Sequence, residues 1–274
     1  MRIILPAAPL QTFAWNSDAV PPSIPLSTDV QGPHKWSWSL SWNTFAANGS
    51  ALSPTNSWNA SVAAAAGGGA LTVTAQAGTQ SATAKLKITG INPTVAQVTQ
   101  FVVTQPNGSI FNKILQHESG VRNFGANGEP IVSFDHGYGL CQLTNPKPTF
   151  VQAWNWKSNV QGGLALFAGK RNIAIKYLSQ GNRAYTDSQL QYETVSLWNG
   201  GHYHIWNGKA WVRNQAILCD PKTGNIGWNT DIAANSGKTV AQLHQRDSAS
   251  YGAAPTANSD WGYFGVCYAD KILS

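Results

Sequence analysis

Between positions 36 and 42 the chain alternates strictly. Trp36, Trp38, Leu40 and Trp42 fall on one side, and Ser37, Ser39 and Ser41 fall on the other. A period of two is the mark of a half-buried β-strand, because successive side chains point to opposite faces. Three tryptophans on one strand face predict a core more readily than a sugar-stacking surface. The runs ALTVTAQAG and TQSATAKLKITG read as two more strands, split at Gly78 and Thr79 like a hairpin. AAAAGGG, ahead of them, reads as a loop or a helical turn. The first 35 residues are proline-rich and irregular, with Pro21-Pro22 as the clearest breaker. Residues 1–92 are therefore expected to form an all-β domain of the immunoglobulin-like sandwich type.

Pro93 and Thr94 end that pattern and start a helical one. TVAQVTQFV and SIFNKILQHE are amphipathic at helical spacing, with Ser109 as the expected cap of the second. NVQGGLALFAGKRNIAIKYL is a longer helical run. DSQLQYETVSLWNGG is another, with Asp187 or Ser188 as its expected cap, and SDWGYFGVCYADKIL reads as a final helix. The expectation is a two-domain chain, all-β over 1–92 and α-rich over 93–274. The stretch 202–250, rich in Asn, Gly and Trp, yields no clear assignment.

Charge narrows the function classes. Only 11% of the 274 residues are charged, well below the usual quarter or so. The surface must then be dressed with Ser, Thr, Asn, Gln and Gly, which suits a secreted or surface-acting protein. The net charge of +6 favours an anionic partner. The Lys and Arg residues are scattered rather than clustered, which argues against nucleic acid and leaves bacterial cell wall, with its anionic polymers, as the better candidate. No run reaches the roughly 18 apolar residues of a membrane span. The N-terminal MRIILPAAPL lacks the apolar core of a signal peptide. Delivery by a secretion machine, a phage or lysis is therefore expected for action in the periplasm or outside the cell. Three cysteines, Cys141, Cys219 and Cys267, leave one disulfide or three thiols equally open.

Glutamate is scarce. Glu118, Glu129 and Glu193 are the whole complement. Glu118 ends an apolar helical run and is followed by Ser119 and Gly120. Downstream come FDHGYGLCQLTNP (Phe134 to Pro146), NVQGG (Asn159 to Gly163) and SLWNGG (Ser196 to Gly201). In this order the four stretches resemble the lysozyme-like superfamily of goose-type lysozymes and soluble lytic transglycosylases. That family carries Glu-Ser at a helix end, Gly-Leu-Met-Gln in a turn, Asn-Ile-x-x-Gly at a helix start and Tyr-Asn-Ala-Gly at a helix end. Gly139, Leu140, Cys141 and Gln142 match the second motif with Cys for Met. Asn159, Val160 and Gly163 match the third. Trp198, Asn199, Gly200 and Gly201 match the fourth with Trp for Tyr and Gly for Ala. The resemblance spans roughly residues 105–270 and implies a lysozyme-like (α+β) domain.

The resemblance implies a peptidoglycan glycosidase, a muramidase cutting the bond between N-acetylmuramic acid and N-acetylglucosamine. Such a reaction needs an acid to protonate the leaving oxygen, held in apolar surroundings that disfavour the charged form. Glu118, following Ile114 and Leu115, is expected to be that acid. Asp135 is expected to position water, and Ser119, Tyr138, Gln142, Trp198, Asn199 and Tyr263, the last placed in the final helix, are expected to contact substrate. Family members carry a further aspartate where Thr144 and Asn145 stand here. That departure keeps open a lytic transglycosylase, in which the sugar's own 6-hydroxyl attacks and no water is needed. No cofactor and no metal are expected: HExxH spacing is absent, and His117, His136, His202 and His204 form no zinc pattern. A Cys141–His136 nucleophile pair is weaker than a packed thiol. SGKT at Ser236 lacks the upstream glycine of a phosphate loop. Expected partners are peptidoglycan and, if the protein is a toxin, an immunity protein or a secretion or virion component docked by the β domain. A non-catalytic wall-binding or adaptor protein is the other class, since fold alone does not carry activity.

Overall fold

The computed structural model describes residues 1–6 and 11–274 and has a mixed α/β fold. It divides into two compact units, Met1–Leu164 and Ala165–Ser274.

Among the described residues the first unit begins with eight strands: β1 (Ile3–Ile4), β2 (Thr12–Trp15), β3 (Pro25–Thr28), β4 (His34–Trp42), β5 (Phe45–Ser53), β6 (Ser57–Asn59), β7 (Gly69–Ala77) and β8 (Gln80–Gly90). One sheet has the order β2-β8-β7-β4-β5 and the other β1-β3-β6. All pairings are antiparallel except β2 with β8. The alternation of β4 divides as its period demands: Trp36, Leu40 and Trp42 are buried, Trp38 is half-buried and the serines face solvent. β7 and β8 form the expected hairpin, with Gly78 at φ 57° where a side chain would be strained. A short helix, α1 (Ser61–Ala65), precedes β7.

Helices follow in the same unit: α2 (Val95–Val103), α3 (Gly108–Ser119), α4 (Phe150–Trp154) and the start of α5 (Trp156–Leu178). Thr94 caps α2 and Thr149 caps α4, each in a reciprocal capping box with the glutamine three residues on. Ser109 does not cap α3. That helix begins at Gly108, behind Asn107 at φ 62°, because the chain turns back so tightly that a side chain at 108 would strike the Val102 carbonyl.

The change of period at Pro93 thus marks where sheet gives way to helix, but the compact units divide later, after Leu164. The reason lies in the core. Trp15, Trp36, Trp42, Phe45 and Ile88 from the strands pack in one cluster with Phe124, Tyr138 and Trp154. Trp42 meets Trp154 edge-on at 5.5 Å between ring centres and Tyr138 at 6.1 Å. Burying such aromatics is worth about 1.5–3 kcal/mol each, so this contact binds residues 93–164 to the strands.

The second unit contains α6 (Asp187–Asn199), β9 (His204–Trp206), β10 (Trp211–Arg213), β11 (Ile217–Cys219), β12 (Ile226–Asn229), α7 (Val240–Asp247), β13 (Gly262–Tyr263) and α8 (Gly265–Leu273). The stretch without a sequence assignment is therefore largely two small sheets, β10-β9 and β11-β12-β13. Thr186, rather than Asp187 or Ser188, caps α6 through a capping box with Gln189. Tyr263 lies on β13 and not in the last helix: Gly262 pairs with Gly227, and Phe264 stays extended at φ −127° before α8 starts. α8 lies against the end of α6, where the Gly265 N–H donates to the Gly200 carbonyl at 2.9 Å. A side chain at 265 would collide with the Ser196 and Gly200 carbonyls. Cys219 of β11 and Cys267 of α8 form a disulfide, and Cys141 is free and buried.

Candidate active site

α3 carries its apolar residues at i, i+3 and i+4: Phe111, Ile114 and Leu115, all 0% exposed. The next position on that stripe, i+7, is Glu118. A glutamate here occupies the place of a core residue, and its side chain is half-buried. Ser119 spends its hydroxyl on the Leu115 carbonyl (3.3 Å) at the helix end. Gly120 (φ 58°) and Val121 (φ 62°) then turn the chain through the left-handed region. A β-branched residue rarely adopts that region, and Val121 does so while 3% exposed.

The turn containing Gly139 to Gln142 is held from below by two buried asparagines. Asn159, at the start of α5, donates to the Tyr138 carbonyl (3.0 Å) and accepts from the Cys141 N–H (2.7 Å). Asn123 accepts from the Leu140 N–H (3.1 Å) and donates to the Ala153 carbonyl (3.2 Å). Both amides sit so close to Gly139 that an added Cβ would meet them at 2.6–2.7 Å. Gly163 is small for a similar reason: its Cβ would lie 2.7 Å from Cys141 Sγ and from Phe111 Cζ. The third sequence motif therefore works as a clamp on the second. Asn159→Ala would leave the Cys141 N–H buried and unpaired, at about 1–3 kcal/mol, while the Tyr138 carbonyl would keep its bond from the Leu143 N–H (3.1 Å). A lower urea midpoint is the expected result, and an unchanged one would mean the turn holds itself.

Cys141 joins this turn to the helix. It is 1% exposed, and burial first, then the charge of Glu118, push its thiol well above the ordinary range. The second cause places the Glu118 carboxylate within electrostatic reach of the turn. A thiol held neutral in this way is a packing group and a poor nucleophile.

The other expected contacts fare differently. Gln142 is half-buried with φ 50°, and its Nε2 donates to the Gly139 carbonyl at 2.6 Å. Asp135 is exposed on a tight loop and accepts from the Ser133 hydroxyl. Tyr138, expected at the substrate, lies elsewhere. Its ring is 3% exposed and packs edge-on against Trp42 and Phe45, so it belongs to the core and offers no face to a sugar. In the second unit, Trp198 is half-buried and tilted against Phe167. Asn199 buries its Oδ1 without a hydrogen-bond partner among the described residues. Tyr263 is 42% exposed. Glu118, Ser119, Asp135 and Gln142 thus belong to the first unit, and Trp198, Asn199 and Tyr263 to the second.

One cluster escaped the sequence reading. Glu193, in the middle of α6, is 0% exposed. It accepts from the Nδ1 atoms of His202 (2.6 Å) and His204 (2.9 Å) and from the N–H groups of Tyr203 and His204. Its scarcity was the available signal, as for Glu118. The histidines that flank it therefore anchor the segment after the WNGG turn. Among the described residues, no group of three or more His, Cys, Asp or Glu gathers as a metal site, and no helix is long and apolar enough to cross a membrane.

No family model, no curated protein and no solved structure matches this chain.

Proposed function

We propose that the protein is a peptidoglycan glycosidase that cleaves between N-acetylmuramic acid and N-acetylglucosamine, with Glu118 as general acid and base. The reading takes the strands as an immunoglobulin-like module and the α-rich remainder as a lysozyme-like domain. One observation carries it: a half-buried glutamate replaces the next apolar residue on the buried stripe of α3, beside a turn clamped by Asn159. A carboxylic acid presented there is the group that a glycosidase uses to protonate the leaving glycosidic oxygen. Gln142 would contact the sugar from the clamped turn. No cofactor takes part. The Cys219–Cys267 disulfide supports work in an oxidising compartment such as the periplasm or the medium. Delivery by a secretion machine, a phage or lysis fits that site of action, with an immunity protein as partner in a producing bacterium and the β module as a docking element.

A second reading, lytic transglycosylase, is favoured by Asp135, whose carboxylate is exposed and already engaged by Ser133. The products separate the two. Hydrolysis leaves reducing ends, and Asp135→Asn should slow it strongly. Muropeptides lighter by one water, seen by mass spectrometry of digested wall and formed at an undiminished rate by Asp135→Asn, would establish intramolecular attack with Glu118 acting alone. Wall that stays intact with purified protein would leave a non-catalytic wall-binding or adaptor role in place of both.

A further inference from the structure

We propose that Phe134 is a stacking platform for one pyranose ring of the glycan strand, a subsite that rests on the glycosidase reading. Its side chain is 80% exposed. The other aromatics between residues 105 and 164 are not: Phe111, Phe124, Tyr138, Trp154 and Trp156 are buried and Phe150 is half-buried. A single exposed apolar residue is ordinary on a protein surface. Two features set this one apart.

The first is the loop that carries it. Ser133 and Gly137 close it with bonds from the Ser133 N–H to the Gly137 carbonyl (2.9 Å) and from the Gly137 N–H to Ser133 Oγ (2.8 Å). The His136 N–H adds a third bond, to the Ser133 carbonyl at 3.1 Å. Ser133 Oγ also donates to Asp135. The backbone that carries the ring is therefore ordered before any ligand arrives, which lowers the entropy lost on binding. The second is what the loop touches. Gly137 lies against Gln142, so that an added Cβ would meet the Gln142 carbonyl oxygen at 3.0 Å. Gln142 adjoins Cys141, and Cys141 feels the charge of Glu118. The exposed ring thus stands on the loop that flanks the clamped turn of the candidate site.

The chemistry suits a sugar. One face of a pyranose ring is largely C–H, slightly positive and poorly hydrated. An aromatic ring offers a flat apolar face with negative charge at its centre, and such contacts are directional. Phe134 adds no hydrogen bond, so it would bind amino sugars through shape and leave the choice of substituents to polar neighbours such as Gln142.

The test compares wild type, Phe134→Ala and Phe134→Trp for binding of N-acetylglucosamine tetramer by calorimetry and for cleavage of soluble wall fragments. Loss of the ring should weaken binding and raise KM by about two- to tenfold, the range of one aromatic contact. The kcat should change little, and Trp should restore affinity. An active wild type whose Phe134→Ala variant, folded by circular dichroism, keeps the same Kd and KM would overturn the subsite and leave the glycosidase reading intact. A wild type that neither binds the tetramer nor cuts the fragments would overturn both. Loss of kcat with unchanged Kd would assign Phe134 to loop architecture and refute stacking.

Discussion

Glu118→Gln is expected to abolish lysis of purified cell wall while leaving the protein folded. Glutamine keeps the size and the hydrogen-bonding oxygen of the side chain but has no acidic proton to give. Removing a general acid costs about 10²–10⁴-fold in rate. The fold should tolerate the change, because Phe111, Ile114 and Leu115 already fill the buried stripe of α3. Turbidity of a wall suspension reads the activity, and circular dichroism reads the fold. Glu129→Gln is the matched control: its carboxylate pairs with Lys87 at 3.2 Å in a partly exposed bridge. Such pairs contribute about 0–1 kcal/mol, and lysis should persist. Near-normal lysis by a folded Glu118→Gln protein would remove this residue from the chemistry.

Reduction of the Cys219–Cys267 disulfide should lower the melting temperature of the second unit by the equivalent of about 2–4 kcal/mol. The bridge spans 48 residues, and a loop of that length holds back much of the freedom of the unfolded chain. It also ties the short strand β11 to α8, whose own contact with α6 depends on the absence of a side chain at Gly265. Arg213 binds Asp270 of α8 at 2.8 Å and would remain after reduction. Calorimetry with and without reductant, repeated on a Cys219→Ser, Cys267→Ser variant, measures the effect. Equal melting temperatures would mean that packing and the Arg213–Asp270 pair hold the helix unaided. Cys141, buried with its thiol held neutral, should resist alkylation in the native protein either way.

Much of the local structure could be read from neighbours along the chain. The alternation over 36–42 is a strand because side-chain direction is set residue by residue, and the hairpin at Gly78-Thr79 follows from turn chemistry. Helix starts were legible in part: Thr94 opens α2 as expected, Thr186 rather than Asp187 or Ser188 caps α6, and no side chain caps α3. Threonines with a glutamine three places on open α2, α4, α6 and α7. A threonine before the helix can satisfy two free N–H groups by exchange with that glutamine, which Ser109 and Ser188, already inside their helices, are not placed to do. Glu118 stood out for its scarcity and its place on an apolar stripe.

Other features depend on residues far apart in the chain. Tyr138 stands between two glycines in a motif and looks available, yet it meets Trp42 and Phe45 nearly a hundred positions away and sinks into their core. That same core moves the division between compact units from Pro93 to Leu164. Phe134, four residues earlier, stays exposed with Asp135 and His136 at the tip of the Ser133–Gly137 loop. Glu193 and its histidines, and the choice of Cys267 rather than Cys141 as partner for Cys219, follow from α6, β11 and α8 meeting in space. Sequence alone determined the strands β4, β7 and β8 and the helical runs between 94 and 199, and it set Glu118 apart, because those are properties of short periodic runs; the short strands after residue 202 carry no such run. Tertiary structure decided which aromatics are core, which face is open and which polar groups pair, because burial and hydrogen bonding are settled only when distant segments come together.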